Sequence, residues 1–263
     1  MPPIVVAETD RRAFLAGTLS LPLASVLAFP DLARAQAARL EAVSFPTAGG
    51  RTAKGVIAMP EVLPAPAVLL IHEWWGLNDQ IKAVAAELAE LGYIAFVIDL
   101  YDGKVATTPQ EARALTQALD GAAATDELAS AVAFLRSHEG ATGKVGTIGW
   151  CFGGGWSLNA SIAAPVDATV IYYGRVTAPA GRLSQLKGPV LGHFGTLDNF
   201  INEEMVGGFE REMAKAGKAG DLSVNWYTAN HAFANPSGAR YDEDDAALAW
   251  SRTQAFFARY LRG

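Results

Sequence analysis

The segment Gly149-Trp150-Cys151-Phe152-Gly153 predicts a cysteine at the apex of a sharp turn between a strand and a helix. The run Lys144-Val145-Gly146-Thr147-Ile148 leads in, and Gly153-Gly154-Gly155-Trp156-Ser157 leads out. Such an elbow crowds the backbone, which is why glycines flank it, and it holds the apical side chain out at the end of a sheet. The positive end of the following helix then lies beneath a sulfur that must ionise in order to attack. Cys151 is the only cysteine in the chain, so no disulfide within the chain accounts for it. The chemistry this pattern suits is nucleophilic attack by a thiol.

A thiol nucleophile needs a base to take its proton and an acid to orient that base. Chains built on such an elbow carry nucleophile, acid and histidine in that order. Of His72, His138, His193 and His231, only His231 follows the candidate acids, in a loop directly after the predicted strand Leu222–Thr228. Asp198 follows the predicted strand Pro189–Phe194 and is the expected acid. Asp167 and Asp221 precede strands, which puts them at the opposite end of the sheet. The run His72-Glu73-Trp74-Trp75-Gly76-Leu77-Asn78 follows the first buried strand, Pro66–Ile71. A loop in that position supplies one oxyanion-hole amide and the residue after the nucleophile the other, so the backbone N–H groups of Trp74 and Phe152 are expected to converge. Glu73, beside two tryptophans at the end of an apolar strand, should have a raised pKa and the thiol as its neighbour. No second histidine stands four positions after His72, so there is no zinc motif, and no phosphate loop or dinucleotide fingerprint is present. Neither a metal nor an organic cofactor is expected.

The elements that must position these residues are legible as alternating patterns. Ala42–Phe45 and Gly55–Met59 read as an opening antiparallel pair, and Tyr93–Leu100 and Ala168–Tyr173 as further strands. Helical spacing covers Asp79–Leu91, Pro109–Leu119, Thr125–His138, Asn202–Ala216 and Asp242–Leu261. This alternation predicts an α/β fold, one domain with a doubly wound and mostly parallel sheet. In such sheets functional residues collect beyond the C-terminal ends of the strands, where all the candidates above fall.

The start of the chain has a different character. Arg11-Arg12-Ala13-Phe14-Leu15 is a twin-arginine pattern, followed by a moderately apolar stretch to Phe29 and by small-residue sites at Ala33-Arg34-Ala35 and Ala35-Gln36-Ala37. Residues 1–37 are therefore expected to be a signal segment read by the twin-arginine export machinery, leaving a periplasmic or secreted domain over 38–263 with no stable membrane anchor. The apolar stretch is shorter than the roughly 18–20 residues that span a bilayer. Residues 1–37 contain three basic and three acidic side chains, so removing them leaves the net charge of −6 unchanged. With that charge and no basic cluster, a nucleic-acid partner is not expected.

Four separated segments together resemble the dienelactone hydrolase (carboxymethylenebutenolidase) family. They are His72–Asn78, Asp99-Leu100-Tyr101, Gly149–Gly154, and the loops carrying Asp198 and His231. The resemblance runs from about residue 41 to the end of the chain. It implies an α/β-hydrolase fold, a Cys151–His231–Asp198 triad, and cofactor-free hydrolysis of a small lactone or ester. It also implies that Glu73 is tied to the resting thiol, and that Trp75 and Asn235 contact substrate. One departure stands out: the family places a substrate-binding arginine four residues after the histidine, where this chain has Asn235. Arg113 is a loose counterpart of a second family arginine. The residues alone leave open capture of a small molecule without turnover, and cleavage of another carbonyl compound such as a thioester.

Overall fold

The computed structural model describes residues 30–263. The expected export segment up to Phe29 lies outside the described residues. The two cleavage sites fall on helix α1 (Pro30–Ala37), whose Ala33 packs on Ala83. No described helix is long and apolar enough to cross a membrane.

The chain then forms β1 (Glu41–Pro46), β2 (Thr52–Ala58), β3 (Ala65–Ile71), α2 (Asp79–Glu90), β4 (Ile94–Ile98), α3 (Pro109–Ala118), α4 (Gly121–Ser137), β5 (Ala141–Trp150) and α5 (Phe152–Ala163). It continues through β6 (Ala168–Tyr172), α6 (Ala180–Leu183), β7 (Val190–Gly195), α7 (Glu203–Lys215), β8 (Leu222–Tyr227) and α8 (Glu243–Leu261). The strands make one sheet in the order β1-β2-β4-β3-β5-β6-β7-β8. β1 and β2 pair antiparallel, as does β2 with β4, and all remaining pairs are parallel.

β3 is buried along its whole length because helices cover both faces, which is why it reads as an unbroken apolar run. Its side chains alternate between two cores. Val68 and Leu70 pack with Val84 and Leu88 of α2 and Phe257 of α8, while Leu69 and Ile71 pack with Leu128 and Leu135 of α4. A third cluster, around Phe194, Phe209 and Met213, seats α7 against the far side of the sheet.

The start of α4 lies upstream of the expected Thr125. Asp120 caps it, its carboxylate accepting from the amides of Ala122 and Ala123, and this capping drives helix through an alanine run that lacks apolar periodicity. Elsewhere the helix ends follow the sequence signals. Asn78 caps α2, Thr108 and Glu111 close a capping box on α3, and Asn202 caps α7.

Candidate active site

The elbow is formed as its glycines require. Cys151 has φ 53° and ψ −115°, a conformation costly for a residue with a side chain. A Cβ on Gly149 would run into the Gly153 carbonyl, and one on Gly153 into the carbonyls of Ile71 and His72, so neither position admits a larger residue. Only glycine allows α5 to start this close to β3 and β5. No side chain caps α5, so its first amides are left for another acceptor.

Three side chains from three strand ends meet here. His231 Nε2 lies 3.2 Å from Cys151 Sγ, and His231 Nδ1 lies 2.6 Å from Asp198 Oδ2. Asp198 divides its oxygens between two tasks. Oδ1 accepts from the amides of Phe200 (2.7 Å) and Ile201 (3.0 Å), closing a turn after β7, which leaves Oδ2 for the histidine. Burial works against its charge, yet the His231 bond and these amides together hold its pKa below the ordinary carboxylate range. The rings of Tyr173 and Phe200 meet the His231 imidazole edge-on and limit how it can turn. Asp167, by contrast, pairs with Arg136 and Lys144 at the other end of the sheet.

The thiol is poised but neutral. Burial, followed by the negative charge of Glu73, pushes the Cys151 pKa up to about 12, while the Phe152 amide works in the opposite direction. The Trp74 amide makes no hydrogen bond to another described group, and Trp74, Trp75 and Phe152 line the same cavity as the thiol. The turn that carries Glu73 and Trp74 is held by His72. This buried ring has Nδ1 2.6 Å from the Glu73 carbonyl and accepts at Nε2 from the Leu100 amide (3.2 Å). Burial lowers the pKa of His72, so it stays neutral and serves as a brace. His193 is likewise enclosed, between the hydroxyls of Tyr227 and Thr253, with its pKa pushed down to about 3 by burial.

Glu73 has the raised pKa and the influence on the thiol that its position suggests, together with a hydrogen-bond partner that the sequence did not indicate. No hydrogen bond joins Glu73 to the thiol; its Oε2 accepts from Asn235 Nδ2 at 2.6 Å. Asn235 is itself buried, and its Oδ1 accepts from Gln80 (2.9 Å) and from the Ser237 amide (3.0 Å) and hydroxyl (2.7 Å). Its polar atoms are thus occupied within the protein, although it lines the cavity. Burial raises the Glu73 pKa to about 7, against the opposing pull of Asn235 and His231.

The cavity over Cys151 measures about 830 Å³. Four arginines, Arg113, Arg175, Arg182 and Arg240, line it, and Glu73 is its one lining carboxylate. None of the four forms an ion pair with a carboxylate among the described residues; Arg182 donates to Asn159. Arg175, Arg182 and Arg240 carry no motif, so only the fold shows that they ring the thiol.

The sheet order, the elbow and the strand-end site define an α/β-hydrolase. The profile of the dienelactone hydrolase family matches residues 53–261. Carboxymethylenebutenolidase from Pseudomonas putida is 30% identical over 231 residues, covering 83% of this chain and 96% of its own. Protein usf of Aquifex pyrophilus is 33% identical over 223 residues, covering 81% and 95%. Among solved structures, a dienelactone hydrolase-like promiscuous phosphotriesterase from metagenomic libraries superposes with a TM-score of 0.73 at 26% identity, over 84% of this chain and 99% of the other. The chain belongs to the dienelactone hydrolase family and is a hydrolase of that fold.

Proposed function

We propose that the protein hydrolyses small lactones or esters through a Cys151 nucleophile, His231 as base and Asp198 as the group that orients it. The reading rests on the unbroken relay Sγ–Nε2 and Nδ1–Oδ2 at 3.2 and 2.6 Å. The thiol proton passes to His231 Nε2 as Sγ bonds to the substrate carbonyl carbon. The carbonyl oxygen takes the electron pair and is stabilised by the amides of Trp74 and Phe152. The tetrahedral species collapses, and the departing alkoxide takes the proton from Nε2, leaving a thioester on Cys151. Water then gives a proton to Nε2 while its oxygen adds to the thioester, and collapse releases the acid and restores the thiol. In a lactone both product groups stay on one molecule, a hydroxy acid.

Four arginines lining the cavity, none ion-paired with a carboxylate among the described residues, favour substrates with an anionic group. Asn235 cannot perform that task while it holds Glu73.

Hydrolysis of lactones and of p-nitrophenyl acetate by the 38–263 domain, compared with Cys151→Ala, tests the reading. Loss of turnover in Cys151→Ala, together with a mass-spectrometric acyl adduct on the native protein, is expected; unchanged turnover would remove the thiol from the mechanism. The twin-arginine pattern at Arg11-Arg12 supports export with residues 1–37 removed. N-terminal sequencing of periplasmic protein should begin near residue 36 or 38, and retention of the intact chain in the cytoplasm would refute export.

A further inference from the structure

A second cavity, of about 280 Å³, lies on the other side of Glu73 and Asn235. Cys151 and His231 do not line it, whereas Glu73, Tyr173 and Asn235 line both chambers. Its inner wall includes the buried Trp150 and Tyr172, and its rim the exposed Ala247 and Ser251 of α8.

The polar tips of two aromatic residues in this wall are bonded elsewhere. The Tyr172 hydroxyl lies 2.7 Å from Thr253 Oγ1, and Trp250 Nε1 donates to Glu87 Oε1 at 2.7 Å. Their remaining surface is apolar ring, suited to stacking or edge contact with another ring. Three other lining residues hold polar atoms that are enclosed without a partner among the described residues, Glu73 Oε1 and the hydroxyls of Tyr173 and Tyr241. A buried carboxylate oxygen without a donor is unfavourable, and a ligand hydroxyl would satisfy it. A cavity of about 150 Å³ takes one benzene ring. Nearly twice that space admits two fused rings, or one ring with substituents. Among the described residues no lysine or arginine lines this chamber, in contrast to its arginine-ringed neighbour, so an anion would meet Glu73 with no described cation to balance it.

We propose that this chamber is a second ligand site, for small uncharged aromatic alcohols of the phenol and naphthol class, with the ligand hydroxyl donating to Glu73. Because Glu73 also faces the thiol chamber, occupancy is felt at Cys151. A donor on Glu73 draws down the negative field that disfavours the thiolate, so a bound ligand makes the thiol more reactive. Neither binding nor its effect on the thiol depends on what the enzyme hydrolyses.

The test is titration of the native chain with β-naphthol, followed by naphthol fluorescence, with naphthalene and β-naphthoate as comparators. Ala247→Trp and Ser251→Trp, two substitutions at exposed helix positions, fill the rim, and melting curves check that each folds. β-Naphthol should bind roughly tenfold tighter than naphthalene, the worth of one hydrogen bond to a carboxylate. Each tryptophan variant that folds should weaken it by at least about tenfold. Saturating β-naphthol should speed iodoacetamide alkylation of Cys151 several-fold in the native protein and leave the tryptophan variants unaffected. Equal affinity in native and filled proteins would overturn the site, and so would β-naphthoate binding as well as β-naphthol. Loss of β-naphthol binding once Cys151 is alkylated would place the ligand in the thiol chamber and overturn the proposal. An unchanged alkylation rate at saturation would overturn the link to Cys151.

Discussion

The Asn235 side chain donates to Glu73 Oε2 across 2.6 Å, joining residues 162 positions apart. Through this bond a neutral amide holds the one carboxylate that lines the thiol chamber. Glu73 acts on Cys151 through its charge at a distance, with no bond to the sulfur, and Asn235 decides where that charge sits.

Removing the amide should therefore cost more when Glu73 is ionised. Asn235→Leu is expected to lower stability by about 1–3 kcal/mol at about pH 8, where a buried carboxylate loses its donor. At about pH 5, with Glu73 protonated, the loss should be smaller, and what remains reflects the bonds to Gln80 and Ser237. Urea unfolding at the two pH values measures the difference; equal losses would show that the Glu73 bond contributes nothing.

Glu73→Gln should move stability the other way. The folded-state pKa of about 7 exceeds the ordinary 4.5, so the folded chain holds this proton more tightly than the unfolded one. Between those values stability falls as pH rises, and the full penalty is present above about pH 7. At roughly 1.4 kcal/mol per unit, the substitution should stabilise by up to about 3 kcal/mol at about pH 8 and by little at about pH 5. Burial raises Glu87 to about 7 as well, against its bond to Trp250, so Glu87→Gln is the matched control far from the thiol.

The same substitution should quicken the thiol. Taking away the negative charge lowers the Cys151 pKa, and iodoacetamide alkylation at about pH 8 should rise roughly tenfold for each unit it falls. Glu87→Gln should leave that rate unchanged. A slower reaction in Glu73→Gln would mean that the carboxylate helps thiolate formation.

Asp198→Asn keeps an oxygen for the Phe200 and Ile201 amides but removes the charge facing His231 Nδ1. The melting temperature should change little, while kcat falls by about two to four powers of ten. Turnover within about twofold of the native enzyme would take Asp198 out of the relay.

The arginines at the cavity mouth should sort substrates by charge. Arg175→Gln or Arg240→Gln is expected to raise KM about threefold for a carboxylate-bearing lactone, a size typical of an exposed ion pair. The effect should fade with added salt and be absent for p-nitrophenyl acetate. Equal effects on charged and neutral substrates would show that the arginines shape the mouth without reading charge.

Much of this site is legible in the chain because its parts are local. An elbow needs glycine on both sides of its apex wherever it occurs, a buried parallel strand must be apolar on both faces, and helix starts carry their own caps. These local demands mark Cys151, the strand β3 and the loops bearing Asp198 and His231 before any contact is known. The start of α4 was not legible by periodicity, since an alanine run has none; its signal was the capping carboxylate of Asp120.

What tertiary structure alone decided is which polar groups find each other. Glu73 is enclosed by an apolar strand end, as its position suggests, but its partner comes from a loop far along the chain, and no spacing rule connects them. Of the arginines ringing the thiol, Arg175, Arg182 and Arg240 come from the segment after β6, from α6 and from the loop after His231, and carry no motif because each is an ordinary surface residue in its own segment. The sequence determined the elbow that presents Cys151 and the frame around it, since backbone sterics and burial act over a few residues. The pairing of charges and donors around that thiol follows from packing between distant segments, and only the folded chain sets it.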